Sequence, residues 1–367
     1  MGKRRHLAPW GRKAEALRAL ESEGRPLDEQ ALAALEGKPA LYHCVSRIVW
    51  RELVLGDLEK EHFVRLMRKW EAFCKVRVLT YCVMTNHFHI LVDVPERPTE
   101  DPTDGELLDH LRLIYGRAKV AEIRAEIEHW REMELPEKAE EIRQRFLIRM
   151  WDLSWFMRQL KQAYTKWWNK RHEKEGHLWQ ARFKSMLVED GKAARVVAGY
   201  IDLNPVRAGI AADPADYRWS GWGEASAGNR KAREGIRQVM VERELGRSNA
   251  QRASRDMSEW EDVARAYAGL MAEDDETTSS SRPSALQGKT PGRKPAGGPR
   301  LTEAQLLRRK VRYFVDGMAI GTKDFVEGVF QLSRKWFGMD RRSGARRVAG
   351  AATDLVTART LRVRAIG

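Results

Sequence analysis

Cysteine is scarce, with three in 367 residues (Cys44, Cys74 and Cys82). The number is odd and no zinc-type spacing is present, which leaves no even disulfide set and no cysteine metal motif. A reducing, cytoplasmic setting fits such usage. Long apolar runs are lacking too. None approaches the ~20 residues that cross a bilayer, and MGKRRHLAPWGRK at the start has no apolar centre of the signal-peptide kind. No membrane partner is expected. Acidic residues fall short of basic ones, 52 against 66, giving +14 and a pI near 9.8. That balance favours a polyanion as partner, most simply nucleic acid. What is present is 43% hydrophobic residues, enough for real cores in two or three domains.

Residues 1–39 read as a basic, then helical arm. LYHCVSR (41–47) has the β-branched and aromatic content of a strand. After it, Asp57 is placed to cap a helix carrying Phe63, Leu66, Met67, Trp70 and Phe73 at i, i+3, i+4 spacing. KVRVLTYCVM and HFHILVDV predict two strands, broken at Thr85-Asn86 by a tight turn or a bulge. Residues 96–150 are charged and helical, an insertion within the domain. A helix from 151, a basic aromatic loop and the strand KSMLVED (184–190) follow. Asp190 is then placed to cap a helix with Val196, Val197, Tyr200 and Leu203 on its apolar face, stopped by Pro205.

The block 40–225 thus reads β-α-β-β-(insertion, α)-β-α. That order suits an α+β fold, a ferredoxin-like antiparallel sheet with helices on one face. Residues 226–272 form a helical extension, and 273–300 has the composition of a disordered linker. Residues 301–367 hold 14 Lys/Arg against 6 Asp/Glu, a basic C-terminal domain that Thr302 and Gln305 open with a capping box.

Two features carry chemistry. His87 and His89 in HFH share one face of a strand, with Phe88 and Ile90 on the other, so two imidazoles are offered to a metal. Tyr200 and Asn204 are at i, i+4 spacing, which puts a phenol and an amide oxygen on one side of a helix. Asp93 has the same parity as the histidines and is a spare ligand, ranked below Asn204. Imidazole-rich coordination would also suit zinc and a hydrolase.

The succession LYHCVSR, LTYCVMTNHFHILV, GHLWQARFKSMLVEDG, GYIDLNPVRAGI and YRWSG resembles the REP-associated tyrosine transposases, of the single-tyrosine HUH nuclease superfamily. The likeness spans about residues 40–225, interrupted by 96–150. It implies that His87, His89 and Asn204 bind a divalent ion, magnesium or manganese, and that Tyr200 is the nucleophile. The implied activity is single-stranded DNA cleavage and strand transfer through a 5′-phosphotyrosine, on hairpin-forming repeat DNA, by a monomer or homodimer in the nucleoid. A DNA-binding regulator with this fold that does not cut is the alternative. Three positions depart from the family pattern. Thr85 stands where proline is frequent, Asp202 where histidine is, and Arg47-Ile48-Val49 where Arg-Gly-Asn is usual.

Tyr164, in QAYTKWWNKRH, competes for the role of nucleophile but lacks the i, i+4 partner and the motif. Trp167, Trp168 and Trp179, interleaved with Lys170, Arg171, Arg182 and Lys184, suit single-stranded DNA through stacking and phosphate contacts. One or two of these rings are expected in the core. His177 is expected to be a loop residue.

Overall fold

A computed structural model describes residues 40–240, 259–272 and 301–358, apart from 310, 335–336, 338–339 and 349–351. The arm at 1–39, the linker at 273–300 and the end of the basic tail lie outside the described residues.

Strand β1 (Ala40–Arg47) leads to helix α1 (Asp57–Phe73), then to β2 (Arg77–Val83) and β3 (His87–Val94). The 96–150 segment forms three helices: α2 (Asp104–Leu111), α3 (Arg117–Glu132) and α4 (Pro136–Leu147). Helix α5 (Leu153–His172), strand β4 (Lys184–Val188) and helix α6 (Lys192–Asp202) follow. In the sheet β1 lies between β3 and β4, antiparallel to both, and β2 flanks β3 antiparallel. The order β2-β3-β1-β4 is that of a ferredoxin-like α+β core.

Helices cover both faces of this sheet, one layer more than helices on one face alone would give. Tyr42, Cys44, Phe88, Ile90 and Leu187 enter a core with Phe63 and Met67 of α1 and with Leu160 and Tyr164 of α5. Leu41, Leu91, Met186 and Val188 enter a second core with Val197, Tyr200 and Ile201 of α6. The strands are apolar at both parities, as strands buried on both faces must be. A bulge in β2 sets Leu79 and Thr80 against the single residue Leu91. Both then face the α6 side, where Leu79 packs in the second core and Thr80 bonds Asp202.

Two helix starts differ from expectation. Gly56 and Gly191 occupy the cap positions and no side-chain cap bond forms at either. Asp57 falls instead in the first turn of α1, where a carboxylate still suits the helix dipole. The break at Thr85-Asn86 is a turn, closed by a hydrogen bond from Met84 N–H to the His87 carbonyl (2.8 Å).

Beyond α6 come a helical turn, α7 (Asn204–Arg207), then α8 (Gly221–Ser226), α9 (Arg230–Met240) and α10 (Trp260–Met271). The chain after 300 joins the same body. Helix α11 (Glu303–Leu307) begins with the Thr302–Gln305 capping box, and α12 (Tyr313–Asp316) leads to β5 (Ala319–Gly321). Strand β5 pairs parallel with β4, and α13 (Lys323–Leu332), β6 (Arg346–Arg347) and β7 (Val356–Thr357) extend the sheet to seven strands. Where the sequence suggests a separate basic domain, the described part covers what would otherwise be an exposed edge at β4. Leu306, Leu307 and Phe314 lie in the second core. No helix among the described residues is long and apolar enough to cross a membrane.

Candidate functional site

Residues of five elements meet on the α6 face. His87 and His89 alternate outward from β3 with ring centroids 5.1 Å apart. Helix α6 lies across this face and sets the Tyr200 ring edge-on to His89 at 6.3 Å. The two motifs, more than a hundred residues apart in sequence, are therefore neighbours. Asp93 shares the parity but lies four residues beyond His89, about 13 Å along the strand. Its carboxylate accepts from Gln238 Nε2 (2.7 Å) and pairs with Arg77 at 3.6 Å. As a spare metal ligand it is thus misplaced, because strand rise separates residues that parity unites.

The third imidazole of the site was not singled out in the sequence. His43 is on β1, whose register pairs Val45 with His89, so His43 is a diagonal neighbour on the same face. His43 Nδ1 lies 2.6 Å from the Phe314 carbonyl and its Nε2 lies 2.9 Å from His89 Nδ1. A carbonyl only accepts, so His43 Nδ1–H is the donor there. Burial holds the His43 pKa down to about 4, against the backbone bond that raises it, so the ring is neutral and its Nε2 accepts. His89 must then donate through Nδ1–H, which leaves its Nε2 lone pair unprotonated. Burial first, and then the neighbouring His43 and His87, push the His89 pKa well below the usual histidine value. His87 follows the same pattern: Nδ1 lies 2.7 Å from Asn86 Oδ1. In His89 this leaves Nε2 as the ligating atom, the form in which imidazole binds metals, and in His87 the engaged Nδ1 likewise leaves Nε2 as the atom a metal would take.

Tyr200 is 3% exposed. Arg207, one helical face on at i+7, lays its guanidinium 3.9 Å from the centre of the phenol ring. That guanidinium is fixed by the Leu307 carbonyl (2.6 Å) and the Tyr200 carbonyl (2.7 Å). Phe314 packs edge-on to Tyr200 at 5.0 Å. Burial raises the Tyr200 pKa above 10, and Arg207 and a bond with the Val311 backbone oppose the rise. Asn204 bonds through Nδ2 to the carbonyls of Tyr200 (3.4 Å) and Ile201 (3.0 Å), so Oδ1 is the atom it has for a metal.

Tyr164 is on the other side of the sheet. It is fully buried among Phe63, Phe88 and Leu160, and its hydroxyl donates to the Glu59 carbonyl at 3.1 Å. Burial raises its pKa far above the usual tyrosine value. With the sheet between, it faces neither histidine. The aromatic set is half-buried and engaged with protein. Trp167 stacks on His62 at 3.8 Å, Trp168 on His172 at 4.5 Å, and Trp179 packs against Phe88 at 5.3 Å. Lys170, Arg171, His177 and Arg182 are exposed, with Arg171 bonded to Glu59 at 3.3 Å. Lys184 pairs with Asp316.

Among the described residues no three His, Cys, Asp or Glu side chains form a metal-binding group. A metal here would rest on the two Nε2 atoms and the Asn204 amide oxygen, with substrate oxygens completing its shell. Two imidazoles whose Nδ1 atoms are engaged by second partners, the His89 ring held neutral by burial, fit such an ion. Sequence reading missed His43, Arg207 and the segment 307–314. Arg207 had a signal, the i, i+7 spacing from Tyr200.

Residues 38–100, about a sixth of the chain, match the family model described as Transposase IS200 like. A solved structure of a REP associates tyrosine transposase bound to a REP hairpin is similar at 16% identity and a TM-score of 0.34. That match covers 52% of this chain and 81% of the other. No curated protein matches.

Proposed function

We propose that this chain is a metal-dependent single-stranded DNA endonuclease and strand transferase, a transposase that acts on hairpin-forming repeat DNA. The observation that carries this reading is the convergence of Tyr200 on His89 from the other end of the domain, with Nδ1 of His89 engaged by His43 so that its Nε2 is left for a metal. The IS200-like match over the histidine strand supports it.

A divalent ion, Mg²⁺ or Mn²⁺, bound by His87, His89 and Asn204 would neutralise the scissile phosphate and polarise phosphorus. The chain's own residues do the rest. Tyr200 Oη attacks phosphorus, the phenol gives up its proton, and the P–O3′ bond breaks. The products are a 5′-phosphotyrosine and a free 3′-hydroxyl that takes up a proton. The ester linkage conserves the bond, so rejoining to another end needs no ATP. A phenol near pKa 10 is a weak nucleophile, and Arg207 beside the ring favours its anion. His43 holds His89 in orientation from behind. Arg47, directly opposite His87 in the register, adds positive charge where the strand must pass. Since Val311 and Phe314 cover Tyr200, the strand reaches the hydroxyl once that segment has shifted.

Labelled single-stranded hairpin oligonucleotides incubated with manganese and run on denaturing gels test the reading. Wild type should form a covalent adduct, Tyr200→Phe none, and Tyr164→Phe should still form it. An adduct lost only in Tyr164→Phe would overturn the assignment. The buried Tyr200 hydroxyl favours a second reading, a DNA-binding regulator that does not cut. Tight hairpin binding with no adduct in wild type would establish that alternative.

A further inference from the structure

Strand β1 ends at Arg47, opposite His87, and the chain then makes a 3₁₀ turn over Val49–Arg51. The base of this turn is pinned. Ile48 is buried and donates its N–H to the Asn86 carbonyl (2.8 Å). Val49 N–H reaches the Leu178 carbonyl (2.9 Å), and on the far side Leu55 N–H reaches Thr85 O (3.0 Å). From this anchored base Trp50 stands out at 84% exposure, with φ 56° and ψ 4°. Bulky residues rarely adopt that left-handed conformation, and such outliers cluster at functional sites. Other tryptophans have protein partners: His62 under Trp167, His172 under Trp168, and Lys60 over Trp219 at 4.1 Å. Among the described residues no ring, cation or polar partner meets Trp50.

We propose that Trp50 is a stacking platform for an unpaired base beside the scissile phosphate, positioning the strand at the His87–His89 pair. Three residues from Arg47, its Cα lies within about 11 Å of that of the arginine. The indole is therefore in reach of bases flanking a phosphate held at the pair. An aromatic face beside an arginine is the pairing that single strands bind, rings for bases and guanidinium for phosphates. Arg47, directly opposite His87 in the register, sets its charge beside the histidine pair. A second copy of the chain is a poorer occupant. Among the described residues the exposed large apolar side chains next to it in the chain are Leu53 and Leu58, far less than the ~800 Å² per partner of a stable interface.

This rests on the reading of the chain as a single-strand DNA enzyme, and the test separates the two. The full chain is titrated with an oligothymidylate of about 12 nucleotides and with an abasic phosphodiester of the same length. Trp50→Ala should weaken oligothymidylate binding about tenfold, leave abasic binding unchanged, and Trp50→Phe should restore most of the loss. Unchanged affinity in Trp50→Ala, or an equal loss on the abasic strand, overturns the stacking role. So does a dimer in sedimentation that Trp50→Ala breaks while DNA affinity holds, since the ring then serves a second copy. If wild type forms the adduct while Trp50→Ala binds like wild type, the platform alone fails. Wild type that binds neither oligomer nor hairpin DNA overturns the DNA-enzyme reading itself.

Discussion

The two faces of the sheet are built from the same four strands and hold opposite kinds of residue. On the α1–α5 face the aromatic rings of Phe63, Phe88 and Tyr164 interlock, with Phe63 and Phe88 centroids 4.6 Å apart, and the one polar atom of that trio donates to a carbonyl. On the α6 face His43, His89, Tyr200 and Asp202 are all buried within a few residues of each other in register or on one helix. Burying apolar surface stabilises at about 25 cal/mol per Å², whereas each buried polar group requires a partner to break even. The α6 face meets that requirement with chains of bonds: Phe314 to His43 to His89, Leu307 to Arg207 to Tyr200, and Thr80, Trp222 and Tyr267 to Asp202. The α1–α5 face is an apolar core alone, whereas the α6 face has an apolar core of its own and positions the reactive groups as well.

The strongest test of that division is His89→Ala, with His87→Ala beside it. Cleavage in manganese should vanish while DNA binding persists, because the basic surface and not the imidazoles holds the backbone. Either variant cutting at the wild-type rate with metal still required would break the assignment. The corresponding change on the other face is Phe63→Ala. Loss of a fully buried ring should cost about 3–5 kcal/mol in denaturant unfolding, with cleavage per folded molecule retained. A variant that stays stable but stops cutting would show that the apolar face takes part in the chemistry.

The smallest effect concerns Asp202, which sharpens the comparison by pH. Burial raises its pKa to about 6, against the lowering bonds from Tyr267, Trp222 and Thr80, from the usual carboxylate value near 3.9. The folded state thus prefers the protonated carboxyl. Its contribution is full below about pH 4 and is lost as pH rises through 6, a difference on the order of 3 kcal/mol. Asp202→Asn should remove that slope, so wild type should lose more stability than the variant between these pH values. Equal slopes in the two proteins would mean that Asp202 is ionised throughout.

Much of the fold was legible because it is local. The alternation in HFHILVDV, the helical spacing from Phe63 to Phe73 and the Thr302–Gln305 box each need only a few neighbouring residues, whereas the stop expected at Pro205 comes at Asp202 and the proline opens the next helical turn. The placement of His87 with His89 on one face follows from the same period of two. Coverage of both faces was also written in the strands, whose apolar residues occur at both parities, although a helix count alone suggests one layer.

Tertiary structure decided what depends on pairing at a distance. Nothing local states that Val45 lies opposite His89, and that register is what brings His43 into bonding range. The carbonyl that fixes the His43 tautomer comes from Phe314, 271 residues later, in a segment that composition sets apart as a basic tail. Tyr164 and Tyr200 are both apolar-face helix tyrosines by sequence, and only the path of the chain puts the sheet between Tyr164 and the histidines. Period and spacing assign a residue to a face. Strand register and chain crossing assign it to a site, because hydrogen-bond pairing sums contacts that no single segment contains.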